Sequence, residues 1–272
     1  MTDVPTKRAN FRALHKQGCF VLPNPWDAGS ARLLQHLGFS ALASTSSGFA
    51  WTTGRPDNAV PLEDVLSHLT RLCAATDLPV NADFESGFAD APEAVAGNVR
   101  LAMKAGVAGL SIEDRRLDGA GLYDLPLAVE RIRAARTAIA GENVILVART
   151  EGLLSDASQV NAAIDRLVAF ADAGADCLYA PGVQKREDIA AMVAAVAPKP
   201  LNVLMFGPGL VLAELADLGV RRVSIGGALA RVAWGAILKA AEEIKRGSFD
   251  GLSAAASGKI LNGIFGEFDS RR

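Results

Sequence analysis

The sequence predicts a single TIM-type (β/α)₈ barrel over residues 1–272. Three observations predict it: eight short β-rich runs, longer helix-period segments between them, and no low-complexity linker that would divide the chain. Strands that alternate with helices are typical of parallel βα units, and eight such units favour a closed barrel over an open sheet. Half of the residues are hydrophobic, which is enough for a large core.

The predicted strands are mostly continuous apolar runs, as expected for strands that are buried on both faces. They are CFVLP (19–23), ALAST (41–45), PVNAD (79–83), AGLSIED (108–114), NVILVAR (143–149), DCLYAP (176–181), PLNVLMF (200–206) and RRVSIG (221–226). Helix-period segments lie between them, and several end at a glycine, a common helix terminator. The clearest helical segments are 92–105, 126–140, 157–173, 186–196 and 210–218.

The C-terminal region, residues 227–272, is longer than a barrel needs for closure. It contains one long predicted helix at 227–247 and a further apolar stretch at 252–268. An apolar extension of this kind often packs on a neighbouring subunit, so we expect a homodimer or a homotetramer.

Composition argues against several classes of function. The formal net charge is −2, without a basic stripe or an acidic tail, which argues against binding to nucleic acid or to a charged membrane surface. The N-terminal residues lack an export signal, and no apolar run reaches the roughly 18 residues of a membrane span. The three cysteines are far apart in apolar runs, as in a protein of the reducing cytosol. We expect a cytoplasmic protein that acts on a small anionic molecule.

Acidic residues follow two adjacent predicted strands at their C-terminal ends, where barrel enzymes carry their active sites. Asp83 and Glu85 end the third strand, and Glu113 and Asp114 end the fourth. Clustered carboxylates repel one another unless a cation or a shared proton holds them. Oxygen ligands without His or Cys favour Mg²⁺ or Mn²⁺, so the cluster predicts a metal site. The alternative is structural: Asp83 caps a helix, and Glu113 pairs with an arginine such as Arg149.

Other polar strand ends suggest an anion site. Arg149 follows an apolar run, where a buried charge requires an anion: a substrate carboxylate, or Glu113 or Glu151 as a structural partner. The loop STSSG after the second strand offers hydroxyl and N–H groups, and Asn202 lies on the seventh strand. No histidine or lysine lies at a strand end, which argues against a Schiff-base aldolase and leaves proton transfer to a carboxylate, a tyrosine such as Tyr123 or metal-bound water.

Five motifs, in this order, resemble the isocitrate lyase/phosphoenolpyruvate mutase superfamily, and its short bacterial phosphonomutase-like members most of all. They are WDAGSA, GRPD, DFESGF, SIED and VART. The resemblance implies a Mg²⁺ ion that chelates a 2-oxo acid or its enolate, held directly or through water by Asp57, Asp83, Glu85 and Glu113. It also implies a substrate-binding set that comprises Trp26, Asp27, Thr45, Ser46, Ser47 and Arg149. Paired subunits of this family exchange a C-terminal helix, which the region 227–272 suits.

Departures from the family pattern narrow the reaction. The loop EDRRLDGAGLYD after the fourth strand lacks the Cys of the isocitrate and methylisocitrate lyases and the Pro-Lys and Asn of the phosphonopyruvate mutases. What remains is enolate chemistry, which fits a Mg²⁺-dependent carbon–carbon lyase or decarboxylase of a small 2-oxo or 2-hydroxy dicarboxylic acid. Arg149, Tyr123 and Asp57 are the predicted catalytic residues. The predicted partners of the distal carboxylate are Arg55, Arg115 or Arg116.

Three alternatives stay open at this level. One is a phosphonopyruvate mutase or hydrolase, and a second is a 2-oxo acid binding protein without turnover. The third takes FGPG and SIGG, after the seventh and eighth strands, as a phosphate cradle for a sugar phosphate. The third alternative leaves the carboxylates of the third and fourth strands unexplained.

Overall fold

A computed structural model describes residues 2–269 and confirms the (β/α)₈ barrel. Its eight strands form one parallel sheet in the order β1-β8-β7-β6-β5-β4-β3-β2. The strands are β1 (Phe20–Leu22), β2 (Leu42–Ala43), β3 (Val80–Asp83), β4 (Gly109–Glu113), β5 (Ile145–Arg149), β6 (Cys177–Tyr179), β7 (Leu201–Leu204) and β8 (Arg222–Ser224). Each lies within the run that predicted it.

The helices surround this sheet, and the five clearest sequence segments all form helices. The helices are α1 (Val4–Leu14), α2 (Ala28–His36), α3 (Ser46–Thr52), α4 (Leu62–Ala75), α5 (Pro92–Lys104), α6 (Leu125–Ala138), α7 (Gly152–Ser155), α8 (Val160–Asp172), α9 (Arg186–Val196), α10 (Leu212–Asp217), α11 (Ala228–Lys245) and α12 (Gly258–Asp269). The segment predicted at 252–268 is divided between a 3₁₀ turn, Asp250–Ala254, and α12.

The barrel is nearly closed at the seam between β1 and β2. Within residues 2–269 these two strands share no β-ladder. Instead, the Ala43 backbone N–H donates to the Pro23 carbonyl at 3.0 Å, and the Asn24 side chain donates to the Ser44 carbonyl at 2.8 Å. The carboxyl ends of all eight strands therefore meet around one mouth.

Residues along each strand alternate between the barrel interior and the helical shell. The shell side is apolar: Leu110, Leu146 and Leu178 pack with residues of the helices in the main core. The interior is apolar at its lower end, where Phe11 of α1 packs with Phe20. Barrel interiors are usually filled by branched apolar residues. Here the middle of the interior is instead polar and buried, with the residues Asn81, Ser111, Asn202, Arg222 and Ser224.

The C-terminal helices leave much apolar surface exposed. Of α11 only Ala230 is buried, whereas Val232, Ile237 and Leu238 are exposed. Helix α12 lies against α2 of the same chain. No helix between residues 2 and 269 has the length and apolar character needed to cross a membrane. Met1 and residues 270–272, which the single-domain prediction includes, lie outside the described residues.

Candidate active site at the barrel mouth

Arg149, the last residue of β5, is the centre of the polar cluster at the mouth. Its Nη1 lies 3.3 Å from Asp83 Oδ1, its Nε lies 3.4 Å from Glu113 Oε2, and Nε also donates to Glu151. Burial alone would lower the pKa of Arg149, but Glu151 and Glu113 raise it well above the ordinary value. The guanidinium is therefore charged, and both structural partners considered for it are in contact with it.

Asp83, the last residue of β3, joins this cluster to the start of α3. Its Oδ2 accepts a hydrogen bond from the Ser46 backbone N–H at 2.9 Å, so the alternative interpretation that Asp83 caps a helix is confirmed. The predicted STSSG loop is wrong in this respect: α3 begins at Ser46, because the Thr45 hydroxyl caps it by accepting from Gly48 N–H at 3.2 Å. The hydroxyls of Thr45 and Ser47 lie 3.1 Å apart.

Three further carboxyl groups at the mouth bind protons more tightly than free carboxyl groups do. Burial raises the pKa of Glu85 to about 8, and the charges of Asp83 and Asp57 add to the rise. Burial also raises the pKa of Glu113 to about 8, although Arg149 opposes this. Burial of the carboxyl and the charge of Asp83 raise the pKa of Asp57, although the residue as a whole is exposed. At all three groups, burial and the charges of neighbouring carboxylates outweigh the opposing charge of Arg149.

The backbone at Glu85 is strained. Its φ of 47° lies in the left-handed region, which costs a non-glycine residue roughly 1–2 kcal/mol. Such strain persists only where the surrounding structure fixes it, and it concentrates at functional sites. In this turn Glu85 is buried, and the charges of Asp83 and Asp57 act on its carboxyl group.

The carboxyl groups fit a hydrated divalent cation. Across residues 2–269, no three His, Cys, Asp or Glu side chains converge closely enough to enclose a bare metal ion. Arg149 lies between Asp83 and Glu113, which keeps these carboxylates from converging. Mg²⁺ commonly keeps several waters and needs only one or two direct carboxylates, so the donor set and its raised pKa values suit this ion or Mn²⁺.

Two predicted acids have other contacts. Asp114 pairs with Arg166 of α8 at 3.0 Å and accepts from the Glu151 N–H at 2.9 Å. The prediction that it converges with Asp83 is wrong, because it follows the inward-facing Glu113 and so faces the helices. Asp27 caps α2, since its Oδ1 accepts from the Ser30 N–H at 2.6 Å; its role in substrate binding stays a prediction.

Tyr123 is packed away from the cluster. It is only 3% exposed, its hydroxyl donates to Asp90, and its ring centroid lies 4.1 Å from the guanidinium carbon of Arg131. Arg131 is itself buried and donates to the carbonyl groups of Ser86, Ala89 and Asp90. The structure therefore gives Tyr123 a packing role, and its role as a proton donor stays a prediction.

The three arginines proposed for a distal carboxylate differ in position. Arg55 pairs with Asp64, and Arg116 pairs with Asp118; both pairs lie on the surface. Arg115 is half-buried, and its charge lowers the pKa of Glu85. Only Arg115 of these three therefore acts electrostatically on the cluster in this conformation.

Comparison with known proteins decides the family. Residues 11–245 match the family model described as phosphoenolpyruvate phosphomutase. The chain belongs to this family. The superfamily that the motifs resemble, isocitrate lyase/phosphoenolpyruvate mutase, is thereby confirmed.

Several known proteins match this chain over most of its length. Oxaloacetate decarboxylase from Rhodopseudomonas palustris is 31% identical over 95% of this chain and 92% of the relative. A crystal structure from Burkholderia cenocepacia J2315, provisionally described as a lyase/mutase, is 49% identical, covers 97% of this chain and 98% of that one, and superimposes with a TM-score of 0.93. The structure of 2,3-dimethylmalate lyase is 28% identical, covers 100% and 97%, and has a TM-score of 0.85. Relatives with named activities thus include lyases.

Near this cluster lie further polar residues that the sequence prediction did not assign individually to a site. Below Asp83 and Arg149 lies a small polar cavity with about 30 Å³ of open space. Its other polar lining residues are Asn24, Ser44, Asn81, Ser111, Tyr179, Arg222 and Ser224. Most lie two residues before or level with a strand end, so the two-residue period of an inward-facing strand was the available signal.

Two predicted substrate-binding residues lie beside the cluster rather than within it. Asn202 is fully buried in the barrel interior and donates to the Ser224 hydroxyl at 2.9 Å. Trp26 is half-buried, and its Cβ would lie 3.1 Å from a Cβ added to Gly48. Trp26 therefore packs against the start of α3, which carries Thr45, Ser46 and Ser47.

Proposed function

We propose that this protein is a Mg²⁺-dependent or Mn²⁺-dependent carbon–carbon lyase or decarboxylase of a small 2-oxo or 2-hydroxy dicarboxylic acid. The observation that carries the proposal is the set of carboxyl groups around charged Arg149 at the barrel mouth. Such a site offers places for a cation and for an anion side by side. The relatives named oxaloacetate decarboxylase and 2,3-dimethylmalate lyase support this reaction class.

In the proposed complex, Asp57, Asp83, Glu85 and Glu113 would hold the ion, directly or through water. When bound, the ion supplies a Lewis acid that stabilises negative charge on the 2-oxo oxygen as the adjacent carbon–carbon bond breaks. The hydrogen bond from Ser46 to Asp83 and the contact with Arg149 keep that carboxylate in one position.

Arg149 positions the substrate in this proposal. Its Nε and Nη1 contact the protein carboxylates, so these contacts fix the plane of the guanidinium. A guanidinium held in this way binds a carboxylate with matched geometry. Thr45 and Ser47, whose hydroxyls lie 3.1 Å apart, donate further hydrogen bonds to the same substrate carboxylate. Water at the open mouth returns the proton to the product, because the Tyr123 hydroxyl is engaged with Asp90.

We also propose that a second copy of this chain covers the exposed apolar side chains of α11. Val232, Ile237 and Leu238 are 55–69% exposed on this one helix. We expect a dimer or a tetramer in light scattering. Leu238→Asp should convert it to a monomer, whereas Arg133→Asp should not. A monomeric wild-type protein would refute this proposal.

The test of the proposed reaction is a substrate screen. Purified protein is incubated with oxaloacetate, phosphonopyruvate, 2,3-dimethylmalate and 2-oxoglutarate, with and without Mg²⁺, and products are followed by NMR. Metal-dependent cleavage or decarboxylation of one carbon acid is expected, and Asp83→Asn should abolish it. Phosphate release from phosphonopyruvate would instead establish phosphorus–carbon chemistry, and binding without product would establish a 2-oxo acid binding protein.

A further inference from the structure

Arg222 on β8 is a buried arginine in the barrel interior that the proposed reaction does not use. The residue is only 3% exposed, and its guanidinium carbon lies 5.9 Å from the Phe11 ring centroid. Its Nη1 donates to Asn81 Oδ1 at 3.3 Å, whereas its Nε is buried and makes no hydrogen bond within the described part of the chain. Hydrogen bonds to protein therefore satisfy only part of this guanidinium.

The charge of Arg222 also lacks a dedicated partner among residues 2–269. The only carboxylate there that raises its pKa against the effect of burial is Asp83, and Asp83 is in contact with Arg149 and Ser46. The other two groups near it, Cys177 and Tyr179, are neutral at pH 7, because burial raises their pKa values to about 11 and about 12. A buried charge without an anion is costly, so its presence here points to an anion that the protein itself does not supply.

The space beside Arg222 suits a small anion. Arg222 lines the polar cavity below Asp83 and Arg149, together with the side chains of Asn24 and Ser111. Its open space of about 30 Å³ is room for one or two particles the size of water. The same cavity is lined by Asp83 and Arg149, so it adjoins the polar cluster at the barrel mouth.

We propose that Arg222 forms an anion site in the barrel interior, beneath the candidate active site, and that it binds a monovalent anion of the size of a halide or a carboxylate group. The unsatisfied Nε–H supplies a charge-assisted hydrogen bond to this anion. The site depends on the charge of Arg222 and not on bound metal or on turnover. Failure of the proposed lyase activity therefore leaves it unaffected.

Bromide is the probe that tests this proposal. Wild-type crystals grown in sodium bromide should show an anomalous peak beside the Arg222 guanidinium. At constant ionic strength, balanced with the bulky anion gluconate, bromide should raise the unfolding temperature and reach saturation. Arg222→Met should abolish this response, whereas Arg133→Met, which removes an exposed arginine paired with Glu130, should retain it.

Two further measurements identify the source of the anion and protect the test against a folding defect. If formate or oxaloacetate removes the bromide peak, the occupant is a ligand carboxylate. If the peak stays in the presence of both, the occupant is a halide. If Arg222→Met does not fold, Arg222→Lys should bind bromide about tenfold more weakly, since an ammonium lacks the guanidinium's fixed donors. Absence of any anion at Arg222 in wild-type crystals, or an undiminished bromide response in Arg222→Met, would overturn the proposal.

Discussion

Metal binding at the barrel mouth should depend on pH in a defined direction. The pKa of Glu113 rises from 4.5 to about 8 in the fold. The folded chain therefore binds this proton more tightly than the unfolded chain does. Without metal, stability is greatest below the unfolded pKa of 4.5 and falls as pH rises towards 8. Mg²⁺ binds the ionised form, so its stabilising effect should grow over the same interval.

The size of this stability change follows from the pKa shift of Glu113. At roughly 1.4 kcal/mol per pKa unit, a rise of this size corresponds to an upper limit of about 5 kcal/mol for one carboxyl. Over about two pH units, one group accounts for about 3 kcal/mol, which is a change of roughly 5–10 °C in unfolding temperature for a chain of this length. Glu85 shows a rise of the same size, but the two groups interact, so their effects should not add fully.

The assay is thermal unfolding at about pH 6 and about pH 8.5, with and without Mg²⁺ and with matched ionic strength. The stabilisation by Mg²⁺ should be larger at the higher pH. Glu113→Gln removes one titrating group and should reduce the difference, whereas Glu130→Gln on the surface should not. A Mg²⁺ effect that is equal at both pH values, or larger at about pH 6, would refute this reasoning.

Three other changes test separate parts of the site. Asp83→Asn should lower turnover at least roughly 1,000-fold and remove the Mg²⁺ stabilisation, as steady-state kinetics and thermal unfolding would show, because Asp83 contacts both Arg149 and α3. Tyr123→Phe removes a hydrogen bond to Asp90 and should cost about 1 kcal/mol of stability with less than a tenfold loss of kcat; a loss above roughly 100-fold would identify Tyr123 as a proton donor. Arg131→Met leaves three carbonyl groups without their donor and should destabilise the fold by roughly 3–5 kcal/mol in urea unfolding, with Arg133→Met near neutral.

The spacing of apolar runs in the sequence determined the barrel architecture. Each of the eight strands lies within a run that is mostly apolar, because strands of a parallel barrel are buried on both faces. The strand ends then determined where Asp83, Glu113 and Arg149 meet, since parallel strands direct their carboxyl ends to one mouth. The motifs at these strand ends also identified the family. The family model matches residues 11–245.

The partner of each strand-end carboxylate was decided only by the tertiary structure. Glu113 and Asp114 are adjacent in sequence and chemically alike, yet one faces Arg149 and the other faces Arg166. The sequence places both acids at the end of the fourth strand, and only the packing of α8 against the barrel supplies Asp114 with its own arginine.

The contacts that each buried side chain makes were likewise decided only by the folded chain. Tyr123 looked available in a loop, yet the buried Arg131 and Asp90 hold it in place. Arg222 was also assigned no role from the sequence. Among residues 2–269 it lacks a dedicated anionic partner, and this property exists only in the folded barrel, because the fold sets its burial and its distance to each carboxylate.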